Sequence, residues 1–494
     1  MKNQELQNLL FRRQFLLAKN KFPISKNWQY FSLNDGYILS VHPDLEHHIK
    51  RRNSRVLALL GIGFDVEYSG LSGNNLLESI LDEAKNFQDI LSQTTTISGR
   101  WVIIYQDQTD TYVFNDPSGY RTIYYHKNLS IMACGSQPEI IKAILNLSYQ
   151  DKEDVTEFIY SERRRKRESY WVGDQTIYQS CYRLLPNHYL RFSDQKAVRF
   201  FPDPHSLEEK SINIVIPRII EILNHTYQYL AGHYSLSQAV TAGIDSRLLL
   251  AASRPFAKEI DYFVDRMGVL PFTDPDIWVP ALLSQRINTH FKVLNSNDKL
   301  PDWFINLLVK NVTEARLLPK TKAIYHRLVT NEQRILINGN TSDLSRVAYN
   351  PKKHTKENID AYFLARWLNY HDIDFVIDTF EEWMNALYKH GLYQEDIINL
   401  VYWEQRLGIW GAQYASENDI ATEEIRPINC RYLLYLILST PTKYRIRPDF
   451  ILYRQLIKEL WPDCLSLPVN PFYNLRKFIG KGRGVIKRTF GSNK

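Results

Sequence analysis

The rhythm of apolar and polar positions changes near residue 205. Before that point the chain reads as short strands separated by turns. Arg55–Asp65 (RVLALLGIGFD) and Gly99–Asp107 (GRWVIIYQD) are apolar runs, and Asp110–Asn115 continues past a polar turn into TYVFN. The turn DPSGY leads into RTIYYHK, and QTIYQSCYRLLPNHYLRF predicts two further strands around the turn LPNH. Asn75–Leu91 and Pro138–Leu147 instead place apolar residues three and four apart, which predicts helices. Strands paired through tight turns, with two helices, predict an antiparallel, layered α+β unit over residues 1–205.

A Pro-bearing stretch, Phe200–Lys210 (FFPDPHSLEEK), closes that unit. From there to residue 494 helical periodicity dominates, over Ile212–Ala231, Ser246–Ala252, Trp278–Ile287, Pro319–Thr330, Asp360–Trp367 and Gln394–Gly411. Between these helices lie short apolar strands, Gln238–Thr241, Ile260–Val264 and Arg334–Asn338. Apolar strands separated by helices predict an α/β unit with a parallel sheet covered on both faces.

Composition narrows the reading. The chain has 494 residues, 44% of them hydrophobic, enough for two or three packed domains and too apolar for disorder as the main state. The net charge of +7 invites a nucleic-acid or membrane reading, but residues 475–494 hold seven Lys and Arg and no acid, so the remainder sums to zero. The run SERRRKRES (Ser161–Ser169) reads as a solvated loop flanked by Glu162 and Glu168, with phosphate or nucleic-acid contact as the alternative if the surface around it were also basic. Binding to nucleic acid is therefore not expected. Arg12 and Arg13 interrupt the only apolar stretch near the N-terminus, and the longest apolar run, Val56–Phe64, is far shorter than the roughly 18 residues a membrane span needs. Cys134, Cys181, Cys430 and Cys464 lie far apart without CxxC spacing, which predicts neither a disulfide framework nor a zinc site, and a cytoplasmic setting is expected.

The segment richest in chemistry is SLSQAVTAGIDSRLLLAASRP, Ser235–Pro255. A short strand runs through a small-residue turn, Ala242 and Gly243, into a helix beginning near Asp245 or Ser246. A helix N-terminus attracts phosphate through its unpaired N–H groups and dipole. Ser246 can cap that helix or bond a phosphate oxygen. Asp245 beside an anion is repulsive unless a divalent cation lies between them, which points to Mg²⁺ with a pyrophosphate group. The same two residues also suit an ordinary N-cap pair.

Strand, T-A-G-I-D-S, helix resembles the pyrophosphate loop of the asparagine-synthetase-like ATP pyrophosphatases, usually S-G-G-x-D-S, with Thr241 for Ser and Ala242 for the first Gly. Ile260–Val264, Asp276 and His290–Leu294 resemble that family's second strand, its acidic loop and the next strand. RILINGNTSD (Arg334–Asp343) resembles its S-G-E-G-S-D strand and loop. In front, ISGRWVIIYQDQTDTYVFNDPSGYRTIYYHK and Trp171–Phe201 are similar to the amidotransferase domain, an Ntn-hydrolase-like sandwich. Glu424–Phe472 resembles the closing helices. The resemblance implies ATP held by Val240, Thr241, Ala242, Gly243, Asp245, Ser246, Arg247, Val264, Asp276, Asn338 and Gly339, and Mg²⁺ held by Asp245 and Asp343.

The chain departs from the family at telling places. Such an amidotransferase uses a cysteine at its mature N-terminus, whose α-amino group serves as base. This chain begins Met1-Lys2-Asn3, its first cysteine is Cys134, and GIGFDVEYSGLSG replaces the glutamine-binding stretch. Glutaminase activity is not expected. The pattern resembles members that ligate amines without glutamine, such as β-lactam synthetases and lasso-peptide cyclases. Asn340 stands where the family has Glu or Tyr in its third loop, and Asn470 stands at the aligned position of an assisting Lys, a role that Lys477 or Lys481 could fill from a shifted loop. The expected function is ATP- and Mg²⁺-dependent adenylation of a small-molecule or peptide carboxylate and amide formation with ammonia or an amine, assisted by Asn340 and Lys477. A nucleotide-binding or partner-binding protein without turnover is the alternative. A second copy of the chain or a pathway protein is left open as a macromolecular partner.

Overall fold

A computed structural model describes residues 3–471, except 69, 128–131, 167, 204–207, 345–358 and 393. The front unit contains twelve strands: β1 (Phe15–Ala18), β2 (Gln29–Ser32), β3 (Ile38–Val41), β4 (His47–Arg52), β5 (Arg55–Asp65), β6 (Ile97–Gln106), β7 (Thr111–Asn115), β8 (Tyr124–His126), β9 (Ala133–Gly135), β10 (Cys181–Arg183), β11 (His188–Arg191) and β12 (Lys196–Arg199). They form two antiparallel six-stranded sheets, ordered β10-β8-β9-β1-β3-β2 and β12-β11-β7-β6-β5-β4.

Period-two alternation explains how the sheets stack. Val56, Ala58, Leu60, Val102 and Ile104 face the other sheet and pack with Phe15, Leu17, Leu39 and Val41. Their neighbours Leu57, Leu59, Ile103 and Tyr105 point outward and are covered by Leu76, Leu77, Ile80 and Ile90 of helices Gly73–Glu83 and Phe87–Gln93. On the far side, Leu16 and Tyr124 pack under Ile140 and Ile141 of helix Pro138–Leu145. The unit is thus four layers, helix, sheet, sheet, helix. β5 is apolar at nearly every position because both of its faces are covered.

Three expectations change in detail. The helix expected over Asn75–Leu91 is two helices, because Asn86 accepts from the N–H groups of Gln88 and Asp89 while Asp89 accepts from Asn86 N–H, a capping box that restarts the chain. The strands around LPNH are present, but β10 pairs with β8 and β11 with β7, so the segment crosses between layers. The expected solvated loop at Ser161–Ser169 contains helix Glu162–Lys166, whose Arg164 is buried, pairs with Glu314 at 2.6 Å and lies over the Trp171 ring.

The back unit holds a parallel sheet of β13 (Leu236–Ala239), β14 (Asp261–Asp265), β15 (Phe291–Leu294), β16 (Ile335–Ile337) and β17 (Glu424–Ile425), ordered β15-β14-β13-β16-β17. Read along the chain, the order runs outward from β13 to β15, then reverses to β16 and β17, which places a topological switch point between β13 and β16. Ligands of open α/β sheets bind beyond the strand C-termini at such a point. Helices Ile212–His233, Ile244–Ala252, Arg431–Leu438 and Ile451–Leu460 share one core with this sheet. Segment Val401–Gly411 is π-helical and continues helix Gln394–Leu400. Among the described residues no helix is long and apolar enough to cross a membrane.

Buried charges join the two units. Arg100 binds both carboxylate oxygens of Asp419, at 2.6 and 2.7 Å, and Arg121 binds Glu423 at 2.6 Å. Asp116, in the turn after β7, accepts from the N–H groups of Ser118, Tyr120 and Arg121 and from the Asn429 amide across the junction.

Candidate functional site

The two loops that leave β13 and β16 meet at the switch point. After β13 the chain passes through Val240–Gly243 into helix Ile244–Ala252, which starts at Gly243 without a side-chain cap. Ser246 does not cap. Its hydroxyl accepts from Thr241 N–H at 3.1 Å and lies 3.2 Å from the carbonyls of Thr241 and Gly243, so it closes the turn from inside. Gly243 has an ordinary extended backbone (φ −73°), and its small size is what the turn uses: a Cβ there would sit 3.3 Å from Thr241 Oγ1.

The second loop follows β16 through Asn338 and Gly339 into a single 3₁₀ turn, Asn340–Asp343. Ser342 donates its hydroxyl to the Asp245 carboxylate, which ties the loop carrying Asp343 to the helix start. A Cβ on Gly339 would lie 3.4 Å from the Cβ of Asp245, so the two loops are in contact there. Asn338 folds its side chain back to accept from Asn340 N–H at 3.1 Å. Asp276, at the start of helix Pro275–Arg286, accepts from Ala242 N–H at 3.1 Å and so fixes the turn from the β14 side. Val240 donates to the Phe263 carbonyl at 2.9 Å, and Val264 is buried in β14.

Arg247, expected among the residues that hold ATP, is turned instead toward the C-terminal segment. It is fully buried, and its guanidinium donates to the carbonyls of Cys464, Leu467 and Pro468, at 3.2, 2.5 and 2.6 Å. Burial lowers its pKa to about 10. The clamp fixes the segment leading to Asn470, whose N–H donates to the Ala242 carbonyl at 2.9 Å. Asn470, marked in the sequence only as a departure, therefore stands at the turn itself. Lys477 and Lys481 lie outside the described residues.

Two further contacts were not foreseen. Tyr453 donates to the Ser342 carbonyl at 3.0 Å, and Tyr120 of the front unit meets the Thr341 hydroxyl at 3.0 Å. The tyrosine at the end of DPSGY was visible in the sequence, but its reach across 221 positions was not. Among the described residues no three His, Cys, Asp or Glu side chains are grouped to hold a metal ion. All four cysteines are free and buried, and burial pushes each thiol's pKa upward. None is set up as a nucleophile.

The fold and site together define a doubly wound α/β unit with a small-residue turn and an acidic loop at its switch point, coupled to a four-layer sandwich. No protein-family model matches the chain, and no curated protein matches it. Similar solved structures include the glutamine phosphoribosylpyrophosphate amidotransferase from B. subtilis complexed with ADP and GMP, at 12% identity over 59% of this chain and 61% of that one, TM-score 0.23. Another is described as the allosteric regulatory enzyme of purine biosynthesis, at 13% identity over 48% and 56%, TM-score 0.24. This chain spans less than two thirds of the length of either. At TM-scores this low the similarity decides neither fold nor function.

Proposed function

We propose that the chain is an ATP- and Mg²⁺-dependent amide-forming ligase of the asparagine-synthetase-like kind, with a front unit of Ntn-hydrolase-like layering that hydrolyses no glutamine. The observation that carries this reading is the junction of the Thr241–Ser246 turn with the Gly339–Asp343 loop, tied by Ser342 to Asp245, at the switch point of the parallel sheet. An uncapped helix start suits a phosphate. Two carboxylates on adjoining loops suit Mg²⁺, which takes one or two protein oxygens and completes its shell with water and phosphate. Held by Asp245 and Asp343, the ion would offset charge on the β- and γ-phosphates.

In the reaction a substrate carboxylate oxygen attacks the α-phosphorus of ATP and pyrophosphate leaves. An amine then attacks the acyl carbon and AMP leaves. The protein's part in the first step is to hold the pyrophosphate against the turn, with Ser246 and Asp276 keeping that turn in shape. The buried, high-pKa thiols support the absence of glutaminase chemistry.

A nucleotide-binding protein without turnover is the second reading. Favouring it, position 340 carries a carboxamide, with its N–H turned to the Asn338 side chain. Incubation with ATP, Mg²⁺ and a panel of carboxylic acids, with and without amines, separates the two. The ligase releases AMP and pyrophosphate, and Asp245→Ala abolishes the release. Tight ATP binding by calorimetry without release favours the second reading. No binding and no release, with Asp245→Ala indistinguishable from the parent, overturns both.

A further inference from the structure

Away from the strand C-termini of the parallel sheet, a cavity of about 200 Å³ opens between the front sandwich and helix Asp374–Lys389. Arg183, at the end of β10, lines it together with Gln405 of the π-helical segment, and Arg183 also lines a smaller neighbouring cavity of about 40 Å³. The larger space suits a ligand of on the order of ten non-hydrogen atoms.

Arg183 is electrostatically incomplete. It is 7% exposed and lies over the Tyr124 ring, 4.8 Å from its centroid, yet among the described residues the one hydrogen bond of its guanidinium runs from Nη1 to the Gly408 carbonyl at 3.2 Å, and its Nε is buried without an acceptor. Among the described residues no carboxylate lies within ion-pair distance of it. Three neighbouring arginines differ: Arg164 is paired by Glu314 at 2.6 Å, Arg199 by Glu404 at 2.5 Å and Arg316 by Glu417 at 2.8 Å. Gln405, 1% exposed, accepts from Gly173 N–H at 2.8 Å but leaves its Nε2 without an acceptor. A buried guanidinium without a counter-ion carries an uncompensated desolvation cost, and a carboxylate is the group whose two oxygens match it.

The same cavity has an acidic side. Half-buried Asp174 and exposed Glu382 line it without a cationic partner within ion-pair distance among the described residues; burial raises the Asp174 pKa, and the more distant Lys127 opposes that shift. Leu185 and Trp383 supply apolar lining to the same cavity. One unpaired cation, two unpaired acids and an apolar wall complement a zwitterion with a medium apolar side chain.

We propose that this cavity binds a free apolar α-amino acid, its carboxylate on the Arg183 guanidinium, its ammonium toward Asp174 and Glu382, and its side chain against Leu185 and Trp383. The proposal is independent of the loops at Thr241–Ser246 and Gly339–Asp343. Calorimetric titration of the full chain with L-leucine tests it, using 4-methylpentanoate and isoamylamine as probes that lack one charge each. Saturable binding of L-leucine is expected, weakened at least tenfold for each half-ligand and in Arg183→Gln. No saturable binding of L-leucine or L-methionine, or equal affinity for 4-methylpentanoate, overturns the proposal. If Arg183→Gln does not fold, Asp174→Asn serves. It is expected to bring the affinity for L-leucine down to that for 4-methylpentanoate, and an unchanged preference for L-leucine overturns the assignment.

Discussion

The hydroxyl of Tyr120 lies 3.0 Å from that of Thr341, so a turn of the front sandwich touches the loop that carries Ser342 and Asp343. The ring of Tyr120 is in turn covered by the Arg426 guanidinium, 3.6 Å from its centroid, and Arg426 is held by Glu424 at 2.8 Å. The front unit therefore reaches the candidate site through the Tyr120 side chain.

Tyr120→Phe removes that hydroxyl and keeps the stacked ring. Its cost in a urea unfolding series is expected to be about 1 kcal/mol, the usual net worth of a buried hydrogen bond. Pyrophosphate release is expected to fall severalfold as the Thr341–Asp343 turn loosens. Unchanged release would show that the contact is structural only.

Arg247→Met replaces a guanidinium that holds three carbonyls with an apolar chain of similar length. The carbonyls of Cys464, Leu467 and Pro468 lose their donors, and destabilisation of about 2–4 kcal/mol is expected. Limited proteolysis should show faster cleavage between residues 464 and 471 than in the parent. An unaltered cleavage pattern would count against the clamp.

Gly99 has φ +114°, and a Cβ there would fall 2.2 Å from the Ile62 carbonyl oxygen, while its own carbonyl accepts from Asn429 at 2.7 Å. Gly99→Ala must move the backbone where β5, β6 and the back unit meet. A loss of roughly 3 kcal/mol or more is expected from thermal or chemical unfolding. Gly70→Ala, where a Cβ meets nothing within 4 Å, provides the contrast for a positive φ alone.

Acid sensitivity should begin above the carboxylate range. Burial lowers the His42 pKa from 6.5 to about 4, and the ring is held neutral, with Nε2 facing the Asn8 carbonyl at 2.9 Å and Nδ1 accepting from Asp44 N–H at 3.0 Å. The unfolded chain takes up this proton at higher pH than the folded one. His42 thus contributes stability that is complete above pH 6.5 and lost as the pH falls toward 4, at no more than about 1.4 kcal/mol per pH unit. His188, lowered to about 4 mainly by burial, acts in the same direction. Urea midpoints between pH 7 and 4 should fall less steeply in His42→Gln than in the parent.

Much of the scaffold was legible because its signals are local. The run Arg55–Asp65 appears as a strand with those bounds, and the strand, turn and helix around Thr241–Ser246 follow in the expected order, with the strand at Leu236–Ala239, two residues ahead of Gln238–Thr241, and the helix starting at Ile244. What escaped was short or non-local. β1 and β2 are four residues each, too brief for a period to show. Helix Asp374–Lys389 buries Phe375, Val376, Phe380, Trp383, Met384 and Leu387 at helical spacing and could have been read, but was not. The roles of Arg164, Arg247 and Arg183 depend on partners more than 140 positions away, which charge in a sequence cannot reveal.

The buried pairs of Arg100 and Arg121 with Asp419 and Glu423 bear on how this polypeptide can be divided. Severing it between residues 200 and 211 would strip two carboxylates of their counter-ions and expose the apolar surface around them, so each half expressed alone is expected to aggregate or be degraded. The front sandwich therefore needs no reaction of its own to be retained, because deleting it would cost the back half its solubility.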